Sequence, residues 1–208
     1  QIHALDELSI QSMARELQGR KSNLALRSAT LSPELASLQK EAIQIYQLPA
    51  GTKAQREAIS ELTDSAQKIG RSVTVLGSSL SRVNDLKKDR TLAPRTLNKT
   101  GLEKAFFLPA NSTLVVEGAE KLSLKEATVL LGHAVSRNAQ VVFLDGQGKG
   151  WLGSALGVLE EQGIARASLR AHQPAIETRV ISLQDKKDRL SAVAERYAEL
   201  TKEGKPVV

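Results

Sequence analysis

Short runs of apolar residues without polar alternation recur along this chain, and longer amphipathic segments separate them. The runs have the composition of strands that are buried on both faces. They lie at 42–46 (AIQIY), 72–76 (SVTVL), 113–116 (TLVV) and 140–144 (QVVFL). The segments between them place apolar residues at helical spacing, and they cover 54–69, 123–136 and 153–162. Strands that alternate with helices predict a parallel β-sheet flanked by helices, which is an α/β fold.

The two ends of the chain depart from this alternation. Residues 1–18 form a small N-terminal helical segment, and a basic, polar stretch follows it as far as residue 30. After the last predicted helix of the core, further strands are expected at 167–170 and 178–183. We therefore predict three parts: the end of an N-terminal helical domain with its linker (1–30), the α/β domain (31–166), and the start of a second such domain (167–208).

The segment 42–62 (AIQIYQLPAGTKAQREAISEL) combines a strand, a Pro/Gly turn and a helix, which is the layout of a phosphate-binding loop. Its letters do not spell G-x-x-x-x-G-K-[ST]. Leu48 stands in place of the first glycine, and Gln55 supplies no hydroxyl for Mg²⁺. Lys53 could still meet a phosphate as a point charge. A working ATPase is therefore one hypothesis, and a residual anion-binding or structural role is the other.

Two other strand ends carry acidic residues, and ligands of parallel sheets bind beyond such ends. Glu117 follows the third apolar run, but Gly118 stands where an ATPase needs a second acid. Asp145 and Gln147 follow the fourth run and are similar to the Gly-Asp-x-x-Gln motif that senses the γ-phosphate in helicases. A solvated strand end and an ordinary turn are the alternatives for these two loops.

The loop after the second apolar run offers hydroxyls, backbone amides and a guanidinium, which suit the phosphates of a single strand. A basic segment near residue 96 repeats this chemistry, and the only tryptophan lies in a glycine-rich loop. That tryptophan is either a stacking platform for a base or a buried hinge residue. The predicted DNA-binding residues are Ser78, Ser79, Arg82, Thr96, Asn98, Lys99, Lys149 and Trp151.

Composition narrows the possible functions. The 208 residues carry a net charge of +6 with a pI near 9.6, which favours a polyanionic partner unless the charge serves solubility alone. There is no cysteine, and His3, His133 and His172 are scattered, so we expect neither a metal site nor a cofactor. No apolar run is long enough for a membrane span, so we expect a cytoplasmic protein without membrane insertion. The chain begins with glutamine, and we expect it to be part of a longer protein.

Several blocks of this sequence resemble the central region of the TraI-type (F-like) conjugative relaxase–helicases. They are IHALDELS at 2–9, STLVVEGAEKLSLKEATVLL at 112–131, GSAL at 153–156 and the stretch 174–181. In that family a relaxase domain precedes two tandem RecD-like helicase modules. The first module is vestigial: it has lost its ATPase motifs, keeps single-stranded DNA binding, and contains part of a signal that type IV secretion machinery recognises.

The resemblance implies a RecA-like sheet in a degenerate P-loop helicase domain. It makes 48–55 a decayed Walker A loop with Ala54 at the lysine position, and Glu117 a relict of Walker B. It also matches 77–82 and 96–97 to motifs that contact single-stranded DNA. The implied degenerate nucleotide site contains Gly51, Thr52, Lys53, Ala54, Glu117, Asp145 and Gln147.

Two functional hypotheses follow from the residues and the resemblance together. The first is a non-catalytic single-stranded-DNA-binding domain that acts in conjugative DNA transfer, beside other domains of the same chain. The parent protein it resembles is a DNA-nicking relaxase and ATP-dependent helicase. The alternative is an interaction module that contributes to recognition of the relaxase by the type IV secretion coupling protein. The resemblance also implies a location in a bacterial donor cell and translocation of the parent protein to the recipient.

Overall fold

A computed structural model of the chain describes residues 2–20, 25–92, 95–96, 107–148 and 153–170, with the backbone alone at 2, 95 and 96. Helices and strands alternate through these ranges. The α-helices are α1 (Ile2–Gly19), α2 (Thr52–Lys68), α3 (Leu80–Leu86), α4 (Leu124–Ser136) and α5 (Ala155–Glu161). The strands are β1 (Ile43–Gln47), β2 (Val73–Gly77), β3 (Arg95–Thr96), β4 (Thr113–Val116), β5 (Gln140–Asp145) and β6 (Arg166–Ser168). Two short 3₁₀-helices cover Pro33–Gln39 and Ala119–Lys121.

The strands form one parallel sheet in the order β3-β2-β4-β5-β1-β6. The predicted α/β class with a parallel sheet flanked by helices and a small N-terminal helix is thereby confirmed. The four buried strands lie within one residue of their predicted positions. Helix α3 and strand β3 were not predicted, because each is too short to show a period in the sequence.

The sheet is covered on both faces, which explains why its apolar runs do not alternate with polar residues. Successive strand residues point to opposite faces, so Ile45 and Phe143 enter the core beneath α1, α4 and α5. Their neighbours Tyr46 and Leu144 enter the core beneath α2 and the first 3₁₀-helix. Both positions of the alternation are therefore buried.

Helix α1 packs on the sheet domain through a stripe of fully buried residues. Ile10, Ala14 and Leu17 have no exposed surface, and their spacing places them on one face of the helix. They share a core with Leu130 of α4 and Leu159 of α5. The segment predicted as the end of a preceding domain thus contributes to the core of this one, while the exact domain boundaries stay predictions.

A buried polar cluster fastens the amino edge of the sheet. Arg71 is 4% exposed, and its Nε donates to Thr113 Oγ1 at 3.1 Å. That hydroxyl donates to Gln140 Oε1 at 2.8 Å, and Gln140 Nε2 donates to the carbonyls of Leu38 and Glu41. The side chains join β4, β5 and the first 3₁₀-helix, so the amino edge is held by satisfied hydrogen bonds.

We expect the stability of the fold to fall between pH 10 and pH 12, because Tyr46 is fully buried on β1. Burial raises the pKa of Tyr46 from 10.0 to about 12, although a hydrogen bond with Ser37 at 2.6 Å opposes the shift. Because the pKa of Tyr46 is higher in the folded than in the unfolded protein, its contribution to stability is complete below the unfolded-state pKa. That contribution is lost as the pH rises through the folded-state pKa. The loss amounts to about 3 kcal/mol in the free energy of unfolding.

Denaturant unfolding at stepped pH measures this loss. The decline should shrink in Tyr46→Phe and persist in Tyr197→Phe, which removes the other tyrosine. Phenolate absorbance of Tyr197→Phe should show a single phenol that ionises near pH 12. An ordinary ionisation in that variant, or an equal decline in Tyr46→Phe, would contradict the expectation.

Candidate nucleic-acid interface

The loops that follow β2 and β4 meet at the carboxyl edge of the sheet, and Glu117 joins them. Glu117 is 5% exposed. Its Oε2 accepts hydrogen bonds from the backbone N–H and the hydroxyl of Ser78 at 2.9 and 2.8 Å, and its Oε1 accepts one from Arg82 Nε at 2.9 Å. Each carboxylate oxygen therefore has a partner from the loop after β2 or from α3.

Arg82 extends this contact across the edge. Its guanidinium donates to Asp85 Oδ2 at 3.2 Å and to Gln55 Oε1 at 3.3 Å, and its side chain is only 18% exposed. Gln55 in turn donates to the carbonyl of Gly146, just after β5, at 3.2 Å. The arginine predicted from sequence as a DNA contact thus connects α2, α3 and the end of β4.

Two glycines allow these loops to approach each other. Gly118 has a φ of +67°, and a Cβ there would lie 2.4 Å from the Cβ of Ser78. A Cβ on Gly77 would lie 2.7 Å from Val83 Cγ2 on α3. The close contact between Glu117 and Ser78 therefore requires glycine beside it.

The loop between β1 and α2 lies where the sequence predicts a phosphate-binding loop. Gly51, with a φ of +93°, precedes the first residue of α2. The buried Leu48 donates its N–H to the carbonyl of Asp145 at 2.8 Å. Lys53 is 82% exposed and lies 3.8 Å from Glu57, its partner one turn along the helix. The only lysine of this loop therefore extends into solvent.

Asp145 shapes the glycine-rich loop after β5. It is fully buried, and its Oδ1 accepts the N–H groups of Gln147 and Gly148 at 2.8 and 2.9 Å. Its Oδ2 forms an ion pair with Arg166 of β6 at 2.6 Å. Burial raises the pKa of this carboxyl. Arg166 and the two amides lower the pKa by more than burial raises it, so it lies below its usual range.

A third carboxylate, Glu120, lies close to the same edge and accepts the N–H of Gly146 at 3.1 Å. Burial raises its pKa, and the charges of Asp145 and Glu117 add to that effect against the hydrogen bond from Gly146.

Across the described ranges, no group of three or more acidic or histidine side chains is arranged to hold a metal ion.

A cleft of about 670 Å³ opens between the start of α2 and helix α3. Ser79 begins α3 as its N-cap, where its hydroxyl accepts the N–H of Arg82 at 3.2 Å. Leu80 is 66% exposed and the Lys88 side chain 69% exposed. The residues that line the cleft are Thr52, Leu80, Ser81, Arg82, Asn84, Asp85 and Lys88.

The structure brings part of the predicted DNA-binding set together. Ser78, Ser79 and Arg82 lie in one loop and the helix after it, and Thr96 pairs with Gly77 at the end of β2. The other predicted DNA-binding residues lie outside the described ranges: Asn98, Lys99, Lys149 and Trp151.

Sequence reasoning missed four side chains of this edge, namely Gln55, Arg56, Asp85 and Lys88. The spacing of Arg82, Asp85 and Lys88 by three residues is a signal for ion pairs on one helix face, and it could have been used. The pair of Arg56 with Asp85 joins two helices, and no local pattern reports it.

Within the described residues, no helix has the length and apolar character needed to span a bilayer.

Comparison with known proteins bears on this edge directly. Residues 49–145 match the family described as "TraI helicase-associated ssDNA bd, N-terminal". The whole chain is 28% identical over 216 aligned positions to the multifunctional conjugation protein TraI of Escherichia coli, and 29% identical over 217 positions to that of strain K12.

The chain covers 12% of the length of each of these two relatives. The matched stretch begins before α2 and ends at Asp145, so it contains the cleft, Glu117 and the loop after β2. The resemblance to TraI-type relaxase–helicases that the sequence blocks indicated is confirmed. Residues 49–145 match a family of TraI helicase-associated single-stranded-DNA-binding domains, and the whole chain aligns with a region of the TraI-type conjugation proteins.

Proposed function

We propose that this chain is a non-catalytic domain that binds single-stranded DNA at the carboxyl edge of its sheet during conjugative DNA transfer. One observation carries the proposal. The stretch that matches the single-stranded-DNA-binding family includes every residue that lines the cleft beside α3. The path of the strand then runs along the loop after β2 and over the cleft.

The cleft has the groups that a single strand needs. Lys88 and Lys53 supply exposed positive charge at this edge, and Ser81 and Asn84 supply neutral hydrogen-bonding groups. The exposed Leu80 offers an apolar surface to sugars or bases. Charge that tracks the backbone together with apolar contact to bases is how proteins bind single strands without reading sequence.

The proposed lack of catalysis is supported by what fills the edge of the sheet. A nucleotide site needs a lysine on the phosphates and a carboxylate free for Mg²⁺. Here Lys53 is exposed to solvent, and both oxygens of Glu117 accept hydrogen bonds from Ser78 and Arg82. Gln55 bridges Arg82 and Gly146. The side chains of Glu117, Arg82 and Gln55 are thus engaged with one another, which supports the proposed lack of catalysis.

This geometry changes the role that we assign to Arg82. Its guanidinium has three protein acceptors, so in the free protein it holds α3 and the loop after β2 in place. The more exposed lysines are the better candidates for direct phosphate contacts. Docking on a type IV secretion coupling protein and a cytoplasmic location both stay predictions.

Replacement of Lys53 and Lys88 by alanine should weaken binding of a fluorescent oligothymidine about tenfold at low salt, since two phosphate contacts are lost. The slope of log K against log salt should become shallower by about 0.7 for each lysine. Fluorescence anisotropy over a salt series measures both quantities.

The matched control is Lys68→Ala with Arg15→Ala. Lys68 ends the helix on which Lys53 begins, and Arg15 lies on α1 across the sheet. This control variant loses the same charge and should bind almost as the unmodified chain does. Equal losses in the two double variants would refute the proposed path, and no binding by the unmodified chain would refute the proposed function.

Mg-ATP should not raise the melting temperature of the chain. A functional site at a hundredfold excess of ligand over Kd would add about 2.7 kcal/mol to the free energy of unfolding, which is easily detected. The measurement is a thermal shift with and without Mg-ATP. A rise that Lys53→Ala abolishes would establish a nucleotide site and overturn the non-catalytic assignment.

A further inference from the structure

Three cationic side chains converge on the single carboxylate of Asp85. Arg56 Nη1 and Lys88 Nζ lie 2.9 and 3.2 Å from its Oδ1, and Arg82 Nη1 lies 3.2 Å from its Oδ2. Arg56 belongs to α2, whereas the other two belong to α3 and the turn after it. Two separate elements therefore direct positive charge at one point.

That point is in the wall of the cleft. Asp85, Arg82 and Lys88 all line it. The Asp85 side chain is 13% exposed in the cleft wall, and Arg56, whose side chain is 23% exposed, contacts Asp85 from outside the cleft lining. The three cations lower the pKa of Asp85 more than its burial raises it, and the carboxylate stays charged at neutral pH.

The three cations also face anions other than Asp85, and Asp89 acts electrostatically on Arg56. Arg82 also pairs with Glu117, which leaves Arg56 and Lys88 to share Asp85. Two guanidinium groups and one ammonium group, aimed from two helices at a site of carboxylate size, also match the oxygens of a phosphate, which accept the same charge-assisted hydrogen bonds. A phosphate diester has one negative charge, as Asp85 has.

We propose that Arg56, Arg82 and Lys88 form a phosphate-binding point for the DNA backbone, and that Asp85 occupies this point in the free protein. The inference rests on the proposed function. A phosphate of the incoming strand takes over donors that Asp85 holds, so Asp85 competes with DNA and moderates its affinity. A moderate affinity for DNA suits a domain that must also release the DNA strand.

The test is Asp85→Asn, which keeps the size of the side chain and removes its charge. We expect oligothymidine to bind about fivefold more tightly, with a slope of log K against log salt that is steeper by about 0.7, because one more phosphate is neutralised. Anisotropy at several salt concentrations measures both.

Asp89→Asn is the matched control, because it removes the same charge one turn away. Asp89 bonds to Thr91, lies outside the cleft lining and also acts electrostatically on Arg56, so its replacement tests the effect of a lost negative charge near Arg56 without emptying the proposed phosphate point. If the gain in Asp85→Asn arises from net charge alone, Asp89→Asn will match it, and the proposal is overturned. Addition of Arg56→Gln to Asp85→Asn should abolish the gain, and a gain that survives this change also overturns the proposal.

Inorganic phosphate provides a readout that does not depend on DNA. It should raise the melting temperature of Asp85→Asn more than that of the unmodified chain or Asp89→Asn. An equal rise in all three would refute the phosphate point. If Asp85→Asn does not fold, Arg56→Gln in the otherwise unmodified chain should weaken oligothymidine binding relative to Arg15→Gln, and unchanged binding refutes the proposal.

These arms separate the two claims. Binding of DNA by the unmodified chain, without a gain in Asp85→Asn over Asp89→Asn, removes the phosphate point and leaves the proposed function intact. Absence of DNA binding in every variant, together with a phosphate-dependent rise specific to Asp85→Asn, removes the proposed function and keeps an anion site at these three side chains.

Discussion

The carboxylate of Glu117 at the end of β4 is almost fully buried, and the arrangement of the whole carboxyl edge follows from how its charge is satisfied. A buried carboxylate is costly unless hydrogen-bond donors and an opposite charge surround it. Ser78 supplies an amide and a hydroxyl, and Arg82 supplies the charge. Because Arg82 also reaches Gln55 and Asp85, the same interaction fixes α3 against α2.

This constraint bears on the proposed absence of nucleotide chemistry at the carboxyl edge. In a nucleotide-driven motor the strand-end loops are organised by phosphates and Mg²⁺. Here the contact between Glu117 and Arg82 joins the end of β4 to helix α3, so the protein's own side chains organise the surface that we propose for DNA. The glycine at position 118 is part of the same solution, since a side chain there would meet Ser78.

The amino and carboxyl edges of the sheet are held by different kinds of interaction. The amino edge is held by hydrogen bonds among the buried side chains of Arg71, Thr113 and Gln140. The carboxyl edge has ion pairs that are partly open to a cleft, such as that of Arg56 with Asp85. Ion pairs near solvent contribute little to stability, so a competing anion can replace one partner at a small cost in stability. They are therefore suited to a surface that binds and releases a polyanion.

The sequence by itself determined the fold class and the edge of the sheet at which we propose the site. Unbroken apolar runs such as QVVFL at 140–144 can be satisfied only in a sheet covered on both faces, and a parallel sheet places its loops at one edge. The blocks similar to TraI-type proteins predicted the family match of residues 49–145, and the departures from the ATPase motifs at Leu48 and Gly118 predict a decayed nucleotide site.

Only the tertiary structure decided what the side chains at that edge do. The contacts of Arg82 with Glu117 and of Arg56 with Asp85 join residues 35 and 29 positions apart, and no periodicity reports pairs of that kind. Helix α3 and strand β3 are stabilised by packing and pairing rather than by local propensity, so they left no pattern to predict. From the sequence, Arg82 is a cation available to DNA. In the fold it pairs with Glu117, because a buried carboxylate is costly without an opposite charge beside it.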